Sequence, residues 1–400
     1  MRKILAILLF LLGLYLPTSF HYQIHGNVAG MYGVILCLIL LVWILIQRNV
    51  PKSIFFTVLA INIVLLISTA LTPFSQYTFG ALVPFVGFSL LFCLKLKELT
   101  FGKRVFKLFM VINALNILLG ILIVFDNSFV NEVFLKNYAA YYENLLPNML
   151  YDNKPVLFFS SHSRAAFHLF LFFFMTYVAY KHTKNRVYLL FSFCYIFLIF
   201  HLGSNTSYMF LAISVLILGS YLIKYKFKGI LFSAILLSLA GLFNLQKIIG
   251  SLQDMRLQFS NTLFSQRNGF LGRYSENGQL AENIRFMKGN LFRPVGLGYS
   301  DDLFFSDSGM ILYTLRGTII LTLLIYFGLY TFLKRNLKHK YHVLILFLAI
   351  FLMDLGSPAL TYFRTLYLIP FVLVFLNSIS TLEEEGKTVP RRSIRVVWSK

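Results

Sequence analysis

The chain has 400 residues, of which 58% are hydrophobic, 17% aromatic and only 13% charged. Soluble domains run near 45–50% apolar and about 25% charged, so this composition excludes a cytosolic enzyme, a disordered chain and a secreted disulfide scaffold. The formal net charge of +21 raises nucleic acid as a partner, until the positions of the bases are read. The three cysteines, Cys37, Cys93 and Cys194, all lie inside apolar runs and show neither disulfide nor zinc spacing.

A helix that crosses a bilayer needs about 20 apolar residues. Apolar runs occur at Ile4–Leu16, Val28–Ile46, Ile54–Leu71, Phe79–Leu94, Leu108–Phe125, Arg164–Tyr180, Tyr188–Leu202, Tyr208–Ile223, Gly229–Phe243, Ser308–Leu333, His342–Leu355 and Leu366–Ile379. The expected fold is therefore all-α, a polytopic membrane protein with about twelve transmembrane helices forming one domain over residues 1–379. A charged tail, residues 380–400, follows. Arg2 and Lys3 resemble a signal-peptide start, but no small-x-small cleavage site follows Leu16, and an uncleaved first span is expected.

With the N-terminus in the cytoplasm, the positive-inside rule sorts the charges. Twenty-four of the 36 lysines and arginines fall in cytoplasmic turns or the tail, with only four of the 15 acids, a balance of +20. Topology thus accounts for the basicity, and no nucleic acid is needed. Both termini are expected in the cytoplasm.

Two segments break the short-loop pattern, both external: about residues 126–163, and about residues 244–307 between the ninth and tenth spans. Loops this long are uncommon unless they serve a function or are disordered. Leu245, Ile248, Leu252, Met255, Phe259 and Leu263 recur at helical spacing in the second loop, and so do Leu280, Ile284, Met287 and Leu291. Two amphipathic helices lying on the membrane or over the bundle are expected. In the first loop, Tyr138, Tyr141, Tyr142 and Tyr151 are expected to anchor at the interface.

Neither loop holds metal-ligand spacing, a P-loop, GxSxG or GxGxxG. The large loop holds arginine: Arg256, Arg267, Arg273, Arg285 and Arg293, with Arg164, Arg316 and Arg364 at helix ends. Arginine captures phosphate oxygens in a bidentate fork. Arg316 lies about two turns, near 12 Å, into its span at 1.5 Å per residue, a costly depth that marks function by default. The alternative is snorkelling, or pairing with Asp354. Ser161-His162-Ser163-Arg164 crowds polar groups at the outer end of the sixth span, with His168 one turn below. His201 and Gly203–Ser207 make a similar turn, read as a cap. Acids placed to act as a base outside are Glu276, Glu282, Asp301, Asp302 and Asp307.

The run Gly272-Arg273, then Phe292-Arg293-Pro294-Val295-Gly296-Leu297-Gly298-Tyr299, then Asp307-Ser308-Gly309 leading into a span with Arg316-Gly317, resembles the large-loop region of bacterial Wzy-type oligosaccharide repeat-unit polymerases. These enzymes build O-antigen and capsular polysaccharide and are relatives of the O-antigen ligases. The resemblance covers roughly Ser160–Ile379, with Gly269–Gly317 its specific core. The chain departs from the pattern at Ser204-Asn205-Thr206, where related proteins often carry Ser-Arg; Arg164 is the nearest replacement. Where ligases place a histidine after the loop, Asp307-Ser308 stands, which favours polymerase over ligase.

The resemblance implies a GT-C-like glycosyltransferase of the bacterial cytoplasmic (inner) membrane, using undecaprenyl-diphosphate-linked oligosaccharide on the outer face, with no metal, nucleotide sugar or other cofactor. It implies membrane lipid, a flippase and a chain-length regulator as partners. Arginines would stabilise the leaving diphosphate, and a carboxylate or histidine would accept the acceptor hydroxyl's proton. The expected catalytic residues are Asp307, His162 and Arg273, and the expected diphosphate ligands are Arg164, Arg285, Arg293, Arg316 and Arg364. The rivals are an O-antigen-ligase-type transferase and a lipid-linked oligosaccharide flippase or other transporter.

Overall fold

The computed structural model describes residues 1–17, 26–72, 77–138, 145–159, 161–221, 274–275, 278, 280–297 and 308–388. Among them the chain is helical throughout, with no strand. Eleven of the twelve apolar runs form helices: α1 (Arg2–Tyr15), α2 (Gly26–Gln47), α3 (Lys52–Ala70), α4 (Tyr77–Phe92), α5 (Lys103–Val124), α8 (His162–Thr183), α9 (Arg186–His201), α10 (Asn205–Tyr221), α12 (Gly309–Asn336), α13 (Lys340–Gly356) and α14 (Phe363–Thr388). The twelfth run, Gly229–Phe243, and the stripe Leu245–Leu263 lie outside the described residues. The described residues also hold the short α-helices α6 (Ser128–Tyr138) and α7 (Leu145–Tyr151) in the first loop and α11 (Ala281–Asn290) in the second, with a 3-10 turn at Leu157–Phe159.

Local chemistry sets the boundaries. Ser161 caps α8 by accepting the Arg164 N–H. Lys184 ends α8 in a left-handed conformation, with φ 58°, and Asn185 opens α9 by accepting the Val187 N–H. A polar Lys-Asn pair therefore makes the whole hairpin turn, since side-chain oxygens satisfy the orphan amides of a helix start.

Two helices form the centre. Every residue from Ala165 to Tyr180 of α8 and from Arg364 to Ile379 of α14 is buried, the pattern of a helix apolar all round. Aromatic rings fill the space between them and their neighbours, with Phe10 stacked on Phe371 at 3.8 Å and Phe109 tilted against Phe375 at 4.3 Å. The peripheral helices invert the rule for soluble proteins. Helix α5 buries Asn113 and Asn116 and exposes Val111, Leu115 and Leu118; α3 exposes Phe55, Phe56, Ile63, Leu66 and Ile67. A belt of outward Phe, Leu and Ile this large marks an apolar surround or a partner. By length and composition, Lys52–Ala70, Lys103–Val124 and Gly309–Asn336 are long and apolar enough to cross a membrane, and several further apolar helices are shorter.

Contacts sort the helix ends into two sets. At one end, Arg335 Nη2 donates to the carbonyls of Phe92 and Leu94, Asn377 Nδ2 donates to Asn336 O, and Lys184 Nζ to the Tyr221 hydroxyl. At the other, Arg364 bonds the C-terminal turn of α1, Tyr138 donates to Tyr15 O, Ser308 to Asp354 O, and Tyr274 to Leu355 O. Lys95, Lys97, Lys181, Lys184, Lys334, Arg335 and Lys338 gather at the first, lysine-rich end; Arg164, Arg285, Arg293, Arg316 and Arg364 gather at the second. The chain stands at the lysine-rich end at Tyr221 and at the arginine end at Tyr274.

Candidate functional site

The arginine end is built around a break in α12. Gly317 (φ −152°, ψ 25°) and Thr318 (φ 73°, ψ 173°) are not helical, so the helix stops after Arg316 and restarts at Ile319. Positive φ in a β-branched residue is a genuine outlier, of the kind held only where the surroundings over-determine it. Those surroundings are the segment that follows α11. Val295 N–H donates to Leu315 O at 2.7 Å, Ile319 N–H donates to Leu291 O at 3.1 Å, and Arg316 Nη1 donates to Gly296 O at 2.8 Å. The groups freed by the break are thus bonded by residues 291–296. Thr314 and Thr322 meet across it, hydroxyl to hydroxyl, at 2.8 Å.

The same segment is locked from the other side. Gly296 has φ +80°, and a Cβ there would stand 1.9 Å from Thr72 Oγ1 at the end of α3, so only glycine serves. Behind it, Leu280 of the second amphipathic stripe packs with Val295, Ile311 and Leu315, and Ile284 and Met287 lie beside them. The expected second helix therefore exists as α11 and caps the first half of α12. Leu291, the last member of the stripe, is exposed. Arg293 extends from the locked segment into solvent, and Arg285 is exposed on α11.

A second polar cluster lies beside the first half of α12. Asp354, fully buried at the end of α13, accepts hydrogen bonds from Tyr313 (3.0 Å), Tyr326 (3.0 Å) and the Ala359 N–H (2.6 Å). Ser308 donates to its backbone carbonyl, and Tyr274 donates to Ser308. Among the described residues no basic group pairs with Asp354, so the alternative of an Arg316–Asp354 pair is not realised. The role of Asp354 as a hub escaped the sequence reading, because its hydroxyl partners come from another helix.

The turns read as polar at the sixth and eighth spans meet here. Thr206 bonds Ser163 at 3.4 Å and packs on Gly356, two residues from Asp354. Arg164 lies with its guanidinium 4.4 Å above the Tyr362 ring, and its Nε is buried without a hydrogen-bond partner. A guanidinium over an aromatic face is a stable resting place, and it leaves the donors available to an anion. His162 opens α8 in a half-buried position. His168 is closed off: Phe159 stacks on it at 4.0 Å, and its ring nitrogens face Arg164 O and Thr365 Oγ1.

Arg364 is fully buried, and its guanidinium is spent on the carbonyls of Gly13 (2.8 Å), Leu14 (3.1 Å) and Leu16 (2.6 Å). A cation at these unpaired carbonyls caps α1 and favours its dipole. Expected as a diphosphate ligand, it is placed as a clamp. Tyr138, expected as an interfacial anchor, is buried beneath Arg364 with its ring 5.7 Å from the guanidinium, and burial raises its phenol above its ordinary range, so it serves as a neutral donor. Tyr151 is exposed. Asp307 and Arg273, with Arg256, Arg267, Glu276, Asp301, Asp302, Tyr141 and Tyr142, lie outside the described residues.

The structure thus brings together Arg316 and the Arg293 segment at the helix break. A chain of contacts, Ser163 to Thr206 to Gly356 to Asp354 to Tyr313, joins that break to the Arg164 turn. The described residues contain no group of three metal-ligating side chains. No protein-family profile, curated protein or solved structure matches the chain.

Proposed function

We propose that this protein is a multi-pass membrane glycosyltransferase that joins undecaprenyl-diphosphate-linked oligosaccharide repeat units into a capsular or O-antigen polysaccharide. The observation that carries the reading is the broken helix at Arg316-Gly317-Thr318. It joins an arginine, the N-terminus of a half-helix, and a segment that carries a second arginine, Arg293. Helix N-termini and arginines both favour anions, and a departing lipid diphosphate is the anion such a reaction releases.

In this reading the arginine end faces outward and both termini are cytoplasmic. The chain crosses the inner membrane about twelve times, including once between Tyr221 and Tyr274, in a GT-C-like arrangement. Arg285, Arg293, Arg316 and Arg164 hold the diphosphate with Arg273, while Arg364 keeps α1 in place beside them. Asp307 or His162 takes the proton of the acceptor hydroxyl, the anomeric carbon–oxygen bond to the diphosphate breaks, and a new glycosidic bond forms. The reaction needs no metal or nucleotide sugar, and a flippase and a chain-length regulator act with the enzyme.

The helix break also favours a second reading. Transporters use discontinuous helices to bind substrate, so a lipid-linked oligosaccharide flippase would share this feature. One experiment separates the two. Lipid-linked repeat units extracted from a host lacking this protein are given to vesicles holding only this protein, with no nucleotide sugar. A ladder of added repeats on gels is the expected result. A single transfer without a ladder would point to a ligase, movement of substrate across the bilayer without a ladder to a flippase, and neither would refute the enzyme reading.

A further inference from the structure

The lysine-rich end holds a cavity of about 370 Å³ lined by Lys181, His182, Lys184, Tyr221, His339, Tyr341 and His342. The volume lies within the range of small-molecule sites, about 300–1,000 Å³. Its lining is unusual for a surface dent in an apolar bundle. Two lysines, three histidines and two tyrosines come from three helices, and no acid is among them. It belongs to neither the break in α12 nor the Asp354 cluster, which lie at the opposite end.

Three observations give the cavity a preference. Lys181, at the end of α8, forms no ion pair among the described residues, and its ammonium lies 5.8 Å from the Tyr341 ring. His342 is 95% removed from solvent, and its Nδ1 has no hydrogen-bond partner. Buried polar nitrogens are otherwise bonded in the great majority of cases. His339 stands against His342 with ring centroids 5.2 Å apart, which adds a second imidazole at the mouth. Lys181, His339 and the unpartnered His342 nitrogen thus converge on one concave space lined by no acid.

We propose that this cavity is a binding site for a phosphate group, held by Lys181, His339 and His342. Arginine and lysine pockets between helices at a membrane's cytoplasmic side take the headgroups of anionic lipids, and a soluble phosphate presents the same oxygens. The proposal does not depend on the transfer reaction above, and it concerns the other end of the bundle.

The test uses the full-length protein in nanodiscs of phosphatidylcholine alone, to which phosphatidylglycerol is added in steps, and separately inorganic phosphate or diphosphate. Binding is read from thermal shift and from native mass spectrometry. Saturable binding of phosphatidylglycerol that inorganic phosphate fails to displace identifies a lipid headgroup, and binding of inorganic phosphate identifies a soluble ligand. Both support the site. The double variant Lys181→Ala/His339→Ala removes two exposed side chains, so it leaves the fold intact, and it is expected to bind at least fivefold more weakly. Lys97→Ala, an exposed lysine at the same end but outside the cavity, is expected to bind as the parent does. Absence of binding by every probe, or equal losses in the double variant and Lys97→Ala, would overturn the proposal.

Discussion

Arg316 and Arg364 show how one residue type divides its work. Arg364 gives three hydrogen bonds to the end of α1 and has no exposed surface. Arg316 donates from Nη1 to Gly296 O and is half-buried beside the helix break. Substitution by lysine keeps the charge and loses the fork. Arg364→Lys is expected to lower stability by about 1–3 kcal/mol through carbonyls left unpaired, read as a drop in Tm in a neutral detergent. Arg316→Lys is expected to lower the rate of repeat addition at least tenfold with a smaller loss of Tm, and near-parent activity would remove Arg316 from the diphosphate site. Asp354 makes the same point for an acid. Asp354→Asn puts an amide donor against two phenol donors, and a loss of about 1–3 kcal/mol is expected, measurable by the same melt. The sequence marked Arg316 as costly at its depth and offered Asp354 only as its candidate partner. It did not show their partners, because pairing depends on which helices meet, and hydroxyl partners such as Tyr313 and Tyr326 look like ordinary span residues.

At the scale of elements, the apolar runs were legible because lipid-length helices carry their signal in composition alone. Helix α11 was legible in the spacing of Leu280, Ile284 and Met287. The break in α12 was not. Gly317 lies inside a long apolar run without a proline, and a lone glycine is tolerated in helices; what opens the helix is the segment 291–296, which bonds the freed amides and carbonyls. This origin yields a prediction. A Cβ at Gly317 would stand 2.4 Å from Leu321 Cδ2 and 2.9 Å from its Cβ, and overpacking of this kind costs about 1–3 kcal/mol. Gly317→Ala is therefore expected to melt earlier and to lose repeat addition. Gly296→Ala, on the partner segment, is expected to lose activity similarly, since its Cβ meets Thr72. If either variant elongates at the parent rate, the locked break is not part of the site.

At the scale of the whole molecule, two independent patterns agree. The sequence assigned bases to alternate turns by charge, and the contacts assign helix ends to two sets by geometry. Lys95, Lys181, Lys334 and Lys338 come out together on both counts, and so do Arg164, Arg293 and Arg364. Charge sorting reports which side stays in the cytoplasm, whereas contacts report only which ends are neighbours, so orientation requires a separate measurement. With Cys37, Cys93 and Cys194 replaced by alanine, a single cysteine is placed at Lys288 on α11, at the arginine end, or at Lys97, at the lysine-rich end; both positions are exposed. A membrane-impermeant maleimide is applied to intact cells, or to spheroplasts where an outer membrane is present. Lys288→Cys is expected to label directly, and Lys97→Cys only after permeabilisation. The reversed result would put the arginines in the cytoplasm, where the proposed reaction has no role for them. Labelling of both from outside would break the two-ended arrangement, because Lys97 follows the turn that Arg335 and Asn336 tie to the end of α12. The expected result leaves the broken helix, the two arginines beside it and the Asp354 cluster facing the side where lipid-linked glycans are joined, and the phosphate cavity facing the other.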